Sequence, residues 1–305
     1  MSLQPGYKQP TAGHRAGHVA IVGRPNVGKS TLLNRIVGCK LSITSNKPQT
    51  TRQRVTGIIT RPGAQIVLVD TPGYQTEHQS AINRMMNRSV TSSLQGVDAA
   101  VWMVEALRFD ERDEAVARLL PHQVPVVLAI NKTDLVKDRA LLLPFIEQLS
   151  RLRDFLAIVP ISAAKGAQVE ELLDTLVAVL PQGPRLHDAD EMTTESERFL
   201  AAELLREKLF RLLGDELPYA AGVEISEFKL DGGMRRIHAV ILMEKDAQKA
   251  IVIGKRGEKL KAIATQARKD MEQLFGGKVF LEVWVKVRRG WAGNEAALRR
   301  MGYGD

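Results

Sequence analysis

The feature that most limits the possible folds of this 305-residue chain is a glycine-rich segment, Gly23–Ser30, with the sequence GRPNVGKS. The apolar run His18–Val22 before it predicts a buried strand, and Leu32, Leu33 and Ile36 after it have helical spacing. Glycines at both ends let successive backbone N–H groups turn toward one anion, and the helix N-terminus adds its positive dipole end. The pattern is typical of a phosphate-binding loop, whose lysine contacts the β- and γ-phosphates and whose serine hydroxyl binds Mg²⁺.

Composition excludes several classes of protein. The single cysteine, Cys39, permits no disulfide within the chain, so a reducing compartment is expected. No apolar run approaches the roughly 20 residues that span a bilayer, and residues 1–17 lack the apolar core of a secretory signal. We therefore expect residues 1–17 to be a flexible tail and the protein to be cytoplasmic. The net charge of +8 permits contact with nucleic acid or anionic lipid.

Three further polar motifs each follow a predicted strand. The pairs are Ile66–Val69 with Asp70–Gly73, Val126–Ile130 with Asn131–Asp134, and Leu156–Pro160 with Ser162–Lys165. Together with a strand at Ala99–Val104, these strands alternate with helical patterns at Ile82–Leu94, Asp113–Leu120 and Val169–Leu180. Alternation of this length predicts a parallel sheet covered on both faces, with its binding residues at the carboxyl ends of the strands.

The motif after the second strand favours a triphosphate. Asp70 at a strand end near Lys29 is placed to hold Mg²⁺ through water, and Gly73 lets a backbone N–H approach the γ-phosphate. The polar loop Ser42–Thr56 is long enough to be functional, and either Thr50 or Thr51 could complete the Mg²⁺ shell.

The last two motifs favour guanine. Asp134 can accept hydrogen bonds from N1–H and the exocyclic amine, while Asn131 faces the opposite edge and the Lys132 stem covers the base. A backbone N–H of Ser162–Lys165 can meet the guanine O6. Adenine lacks the donor pair, and sites built on such pairing discriminate by roughly 10⁴ or more.

These motifs together resemble those of the Ras-like GTPases of the translation-factor-related class, and Asn26 with Gln49–Arg52 resembles the Era family in particular. The resemblance implies Thr51 as the metal-binding threonine, with Thr50 kept open, and makes Asn26 a candidate K⁺ ligand. Tyr74 stands where small signalling GTPases have the glutamine that orients water. We therefore expect slow hydrolysis, on the order of 10⁻³ s⁻¹ or below.

The predicted site follows from these assignments. The residues with catalytic roles are Lys29, Thr51 and Gly73, and the Mg²⁺ ligands are Ser30, Thr51 and Asp70. The nucleotide contacts are Gly23, Arg24, Pro25, Asn26, Val27, Gly28, Lys29, Ser30, Thr31, Asp70, Thr71, Pro72, Gly73, Asn131, Lys132, Asp134, Ser162, Ala163 and Ala164.

The second half predicts a different, smaller domain. A helix from Ser196 to Leu213, with a capping box of Thr194 and Glu197 and a stop at Gly214, precedes a hairpin. The hairpin strands are Val223–Lys229 and Arg236–Met243, and they are followed by a short helix at Ala247–Ile253, a G-x-x-G turn at Gly254–Gly257, a long helix and a strand at Val279–Val287.

This order resembles the type II KH domain, the second half of Era proteins. The glycines would let a nucleic-acid backbone pass closely, and the predicted RNA contacts are Gly254, Lys255, Arg256, Gly257 and Lys259. Residues 244–289 hold twelve Lys and Arg against six Asp and Glu, the imbalance expected of backbone contacts. The alternative is a small α+β packing domain with an incidental turn. The tail Arg288–Arg300, with Trp291, either extends the RNA groove or caps the domain.

The predicted fold class is α/β: a P-loop three-layer α/β/α GTPase domain at 18–181, a linker at 182–195 and a smaller α+β type II KH domain with a C-terminal tail at 196–305. The resemblance implies a GTP/GDP switch on the 3′ end of 16S rRNA that acts in assembly of the small (30S) subunit. We expect a monomer, with peripheral contact at the inner membrane as a further expectation. Two other classes remain open: a signalling GTPase whose basic domain meets anionic lipid, and a metabolic P-loop kinase, which would lack the Asn131–Asp134 pair.

Overall fold

The computed structural model describes residues 13–45, 47, 49–75, 80–214, 217–293 and 298. The strands and helices are, in chain order, β1 Arg15–Val22, α1 Lys29–Val37, β2 Val55–Arg61, β3 Ala64–Asp70, α2 Ala81–Ser93, β4 Ala99–Glu105, α3 Glu111–Ala117, β5 Val126–Asn131, α4 Leu142–Ser150, β6 Ala157–Pro160, α5 Val169–Val179, α6 Glu197–Leu212, β7 Gly222–Asp231, β8 Met234–Met243, α7 Asp246–Ile253, α8 Glu258–Phe275 and β9 Val279–Val287.

The chain forms two compact units that do not follow a single cut in the sequence. The first contains the residues up to Val37 together with Thr56–Asp70 and Ser92–Thr194. The second contains Gly38–Val55, Thr71–Thr91 and the residues from Glu195 onward. Two segments of the predicted first domain therefore pack with the second half of the chain.

The first unit is built on a six-stranded sheet in the order β2-β3-β1-β4-β5-β6. The pairs β1–β3, β1–β4, β4–β5 and β5–β6 are parallel. Successive residues of β5 are all buried, and so are those of β4 before its last residue. Because neighbouring side chains point to opposite faces, both faces of the sheet are covered, which confirms the predicted three-layer α/β architecture.

The structure corrects three details of the first half. The first strand begins at Arg15, paired with Ala64, so the end of the expected flexible tail is part of the sheet; residues 1–12 lie outside the described residues. The expected loop at Ser42–Thr56 ends in β2, an edge strand whose last residues are only partly buried and therefore give a weak apolar pattern. Helix α4 was not predicted, although Leu142, Phe145, Ile146 and Leu149 have helical spacing.

The second half has the order of elements expected for a type II KH domain. Strands β7 and β8 pair antiparallel and β8 and β9 pair parallel. The predicted hairpin is confirmed, with Gly232 and Gly233 at φ 55° and 82°, values that favour glycine. Helices α6, α7 and α8 share one apolar core with the sheet, to which Leu205, Ile241 and Ile263 belong.

The predicted span of α6 is correct to within one residue, but the capping differs from the prediction at both ends. The helix is capped by Ser196, whose hydroxyl accepts from the Phe199 N–H at 3.2 Å, in place of Thr194. Glu197 instead pairs with Arg235 at 2.6 Å. The helix ends at Leu213 in an extended conformation with φ −99°, so the chain needs no left-handed glycine after it.

The tail after β9 is part of the packing. Trp291 is 1% exposed and lies in a cluster with Val240, Leu242, Met86 and Leu298. Of the two roles considered for this tail, the position of Trp291 fits a cap on the domain. Residues 294–297 and 299–305 lie outside the described residues.

Candidate functional site

The phosphate-binding loop follows β1 and leads into α1, as predicted. Gly28 has φ +108° and Asn26 has φ 63°, both in the left-handed region. A Cβ on Gly23 would lie 2.6 Å from the Met103 carbonyl oxygen, so the loop packs directly on β4. This region of backbone space costs a non-glycine residue energy, and its use at Asn26 is typical of a functional loop.

Lys29 is fully enclosed by this loop. Its ammonium donates to the carbonyls of Gly23 at 2.9 Å and Arg24 at 3.0 Å. Burial lowers the pKa of Lys29 to about 8, against an opposing effect of Asp70. The amine is therefore desolvated at the mouth of a loop of backbone donors, where an anionic group would restore its full charge.

Two oxygen ligands suited to Mg²⁺ meet beside this lysine. The Ser30 hydroxyl lies 2.7 Å from Oδ2 of Asp70, the last residue of β3. Hydroxyl and carboxylate oxygens are the donors that Mg²⁺ prefers, and one or two such protein ligands are its usual number at a phosphate site. The residues present therefore fit the predicted metal.

Asn131 connects the phosphate-binding loop to the loop after β6. Its side-chain amide donates to the Val27 carbonyl at 2.8 Å, and its oxygen accepts from the Ala163 N–H at 2.9 Å. The side chain is thereby occupied by two protein partners. In this structure Asn131 therefore connects the two loops, and its contact with the edge of a base stays a prediction.

Asp134 and Ser162, which the sequence analysis assigned separately to the guanine site, are in contact. The Ser162 hydroxyl donates to Oδ1 of Asp134 at 2.6 Å, which fixes one carboxylate oxygen. Lys132, two residues before Asp134, has φ 67°, a left-handed value that is uncommon for a residue with a side chain. Since Ala163 donates to Asn131, the adjacent Ala164 amide is the better candidate donor for a guanine O6.

Two acidic residues that the sequence analysis missed, Glu105 and Asp113, contact the basic side chains of these loops. Oε2 of Glu105 accepts from Arg24 and from Lys132, both at 2.9 Å. Asp113 on α3 lies 3.2 Å from Nε of Arg24. The Arg24 guanidinium therefore faces carboxylates, so any contact of this residue with phosphate would use its backbone. The sequence could have indicated Glu105 by its position, because it is the last residue of a strand, as Asp70 and Asn131 are.

The remaining predicted residues lie on the expected segments. Val27 and Thr71 are fully buried, and Pro25 and Thr31 lie in the loop and the first turn of α1. Thr51, Thr71, Pro72 and Gly73 belong to the second compact unit, and their part in a nucleotide site stays a prediction. Thr50 donates to the Lys47 carbonyl at 2.7 Å, and the choice of Thr51 as the metal ligand stays a prediction.

The G-x-x-G turn has the conformation that its glycines permit. Gly254 has φ 72°, Arg256 φ 52° and Gly257 φ 79°. A Cβ on Gly254 would lie 2.8 Å from the Lys259 Cβ, so this position requires glycine for space as well. The side chains of Lys255 and Arg256 are exposed. The turn thus presents two cations beside bare backbone, the arrangement that suits a phosphodiester chain.

No helix among the described residues is long and apolar enough to cross a bilayer.

Comparison with known proteins was consistent across sequence and structure. Residues 18–132 match a family described as 50S ribosome-binding GTPase, and residues 216–292 match the KH domain family. The GTPase Era of Nitrosomonas eutropha is 54% identical over 292 residues, which cover 96% of this chain and 99% of that protein.

Two solved structures are similar over nearly the whole chain. One is an alanine variant of Era from Aquifex aeolicus bound to GDP·AlF₄⁻, with a TM-score of 0.92 and 38% identity over 95% of this chain and 100% of that one. The other is Era in complex with MgGDPNP and nucleotides 1506–1542 of 16S ribosomal RNA, with a TM-score of 0.91 and 38% identity over 96% of this chain and 100% of that one. With a phosphate-binding loop, a base-recognition pair and a KH domain in place, the chain belongs to the Era family of GTPases.

Proposed function

We propose that this GTPase is a switch that binds the 3′ end of 16S rRNA in its GTP state and acts in assembly of the small ribosomal subunit. The observation that carries the proposal is the exposed Gly254–Gly257 turn between two helices of a KH fold. The related Era complex with MgGDPNP and nucleotides 1506–1542 of 16S rRNA supports the choice of RNA.

The proposed nucleotide contacts divide by chemistry. Backbone N–H groups of Gly23–Ser30 and the ammonium of Lys29 would bind the phosphates, and Asp134 would accept from N1–H and the amine of guanine. Ser30 and Thr51 would be ligands of Mg²⁺, with Asp70 acting through water. When bound, Mg²⁺ would neutralise negative charge on the phosphates. Asn26, held at φ 63° in the loop, is the proposed ligand of K⁺.

Hydrolysis in this proposal proceeds without a glutamine after Gly73. Tyr74 occupies that position and cannot orient water in the same way, so positioning depends on the Gly73 N–H and on charge at Lys29. The intrinsic rate is accordingly low, and matched hydrolysis assays in NaCl and KCl test the K⁺ site. Equal rates in the two salts would remove Asn26 from the metal ligands.

Communication with the RNA-binding half is proposed to run through the segment before β2. Within the second unit, the Arg52 guanidinium donates to the Pro218 carbonyl at 3.2 Å and lies 5.6 Å from the centre of the Phe210 ring. Lys40 pairs with Asp270 of α8 at 2.6 Å. Any movement of Thr51 toward a γ-phosphate would pull on the adjacent Arg52. GTP is therefore proposed to order 42–56 and 70–77 and to change the position of the KH elements; of these, residues 46, 48, 76 and 77 lie outside the described residues.

The cellular setting is a further part of the proposal. The chain has a net charge of +8 and one cysteine, which suits a monomer in the cytoplasm that meets RNA. Peripheral contact at the inner face of the membrane is proposed on the same charge.

The decisive experiment compares two charge-matched double variants. Lys255→Ala/Arg256→Ala removes the cations of the turn, and Lys137→Ala/Arg139→Ala removes two exposed cations of the first unit. Binding of a single-stranded 16S 3′ fragment is measured over a salt series with a GTP analogue present. The turn variant should lose at least about tenfold in affinity and reduce the salt slope by about one to two, because each phosphate contact with a single strand adds about 0.7 to that slope.

Two outcomes would contradict the proposal. An equal loss of RNA affinity in the two double variants would mean that the RNA is attracted by overall charge and not by the turn. Protection of the second half by anionic vesicles but not by single-stranded RNA would favour the lipid-binding alternative.

A further inference from the structure

Glu105 lies between the two halves of the nucleotide site. It is the last residue of β4 and stands opposite Asn131 in the parallel register with β5. Its side chain is 20% exposed, while that of Arg24 is 5% exposed. A carboxylate at this point is close to both the phosphate-binding loop and the base-recognition motif.

One oxygen of this carboxylate serves two cations from different loops. Oε2 accepts from Nη2 of Arg24 and from Nζ of Lys132, each at 2.9 Å. Although burial alone would raise the pKa of Glu105, the hydrogen bond and charge of Lys132 and the charge of Arg24 hold it below its usual value. The carboxylate is therefore ionised, and both hydrogen bonds are charge-assisted at neutral pH.

We propose that Glu105 is a positioning residue for guanine nucleotides: it holds the Lys132 side chain along the base site and ties it to the phosphate-binding loop through Arg24. The Lys132 ammonium sits on a flexible four-carbon stem, and this stem covers a base only if the ammonium is held in place. Arg24 is held on its other side by Asp113 at 3.2 Å. The chain of contacts thus runs from α3 through the phosphate-binding loop to the base-recognition motif.

The physical consequence concerns how long a nucleotide stays bound. Without Glu105, the Lys132 stem would regain rotamer freedom, and covering the base would then require ordering it again. The stem packs on the ring faces of any purine, whereas Asp134 distinguishes the ring edges. Loss of Glu105 should therefore weaken GDP and IDP by the same factor, because IDP differs from GDP only by the missing 2-amino group.

The test is a double-mutant cycle of Glu105→Gln and Lys132→Met, with dissociation of fluorescent GDP measured by stopped flow. Glu105→Gln should raise the dissociation rate about tenfold in the wild-type background and less than about threefold beside Lys132→Met, since contacting residues are not additive. In steady state the variant should raise KM for GTP more than it lowers kcat. Glu147→Gln, which breaks an exposed pair with Arg151 at 2.7 Å, is the matched control and should leave the rate unchanged.

Each alternative gives a distinct result. If Glu105 has a purely structural role, Glu105→Gln should lower the resistance to urea and raise the GDP dissociation rate by the same factor with and without Lys132→Met. That result overturns the proposal. If Glu105→Gln fails to fold, Lys132→Met alone decides, because it leaves Glu105 paired with Arg24; an unchanged GDP dissociation rate then refutes the positioning role. The inference rests on the proposed guanine site, and the GDP affinity of the unaltered protein tests that site separately.

Discussion

The Asn131 side chain donates a hydrogen bond across 2.8 Å to the backbone carbonyl of Val27, which lies in the phosphate-binding loop. The same side chain accepts from Ala163 at 2.9 Å. Residues that would contact the phosphates and the base are therefore connected by one buried amide. A network of this kind fixes the relative positions of loops that otherwise have no common secondary structure.

Asn131→Asp separates the two bonds of this amide. The carboxylate would still accept from Ala163 but would face the Val27 carbonyl without a proton, so one bond is replaced by repulsion. We expect a loss of about 1–3 kcal/mol in the free energy of unfolding and a clear loss of GDP affinity. Urea unfolding and fluorescence titration measure the two, with Gln148→Ala on α4 as the control. Unchanged affinity would show that the connection does not serve the nucleotide.

Gly28→Ala tests how closely the loop approaches Asn131. Gly28 has φ +108°, and a Cβ there would collide with the Asn131 amide nitrogen. We expect GDP binding to be abolished. Gly63→Ala is the matched control, since Gly63 has φ +75° and open space around its Cβ position. It should lose about 1 kcal/mol of stability through backbone strain alone and keep its GDP affinity. Comparable affinities for the two variants would contradict the predicted role of close packing.

The parts of the fold that sequence predicts well are those encoded by neighbouring residues. The phosphate-binding loop, the hairpin glycines and the G-x-x-G turn each carry their own backbone requirement, so the sequence alone identifies Gly28 and Gly254. It does not identify Glu105 and Asp113, because their partner Arg24 is distant in the chain. Only the order of strands in the sheet brings these three together.

The sequence also does not decide which of two chemically similar residues takes a given structural role. Thr194 and Ser196 are both good N-caps, and which one begins α6 depends on where the helix must pack. The grouping of Gly38–Val55 with the second half depends on contacts of Lys40 and Arg52 with residues more than 150 positions away. Charged side chains on a polar loop give no local sign of such partners.

Asp113 should give the first unit a measurable pH dependence. Burial raises its pKa to about 6 from an ordinary value of 3.8, although the charge of Arg24 opposes the shift. The folded state then binds a proton that the unfolded chain releases in this window, so stability falls as pH rises from about 4 to about 6. Compared with Asp113→Asn, the unaltered protein should lose up to about 3 kcal/mol in its free energy of unfolding over this range, because one pKa unit corresponds to about 1.36 kcal/mol.

Asp110 provides the control for that measurement. It caps α3 and pairs with Arg112, whose hydrogen bond lowers its pKa to about 2. The contribution of Asp110 is therefore lost only as pH falls below about 4. Because the Asp110 charge is one of the smaller effects that raise the pKa of Asp113, Asp110→Asn should keep most of the fall in stability between pH 4.5 and 7. A flat difference between Asp113→Asn and the unaltered protein over that range would show that Asp113 is not shifted.

Asp134→Asn should change which base the site accepts. One carboxylate oxygen is fixed by Ser162 at 2.6 Å, so the side chain is held in place for a pair of donors on the base edge. An amide offers a donor where the carboxylate had an acceptor, which suits the 2-oxo group of xanthine and opposes the amine of guanine. We expect GDP affinity to fall by about 10²-fold or more and XDP affinity to rise. Competition titrations against a fluorescent nucleotide measure both, and Asp138→Asn, which retains a cap for the Ala140 N–H at 3.0 Å, is the control. If GDP and XDP weaken by the same factor in Asp134→Asn, the base is recognised by another group and the guanine assignment fails.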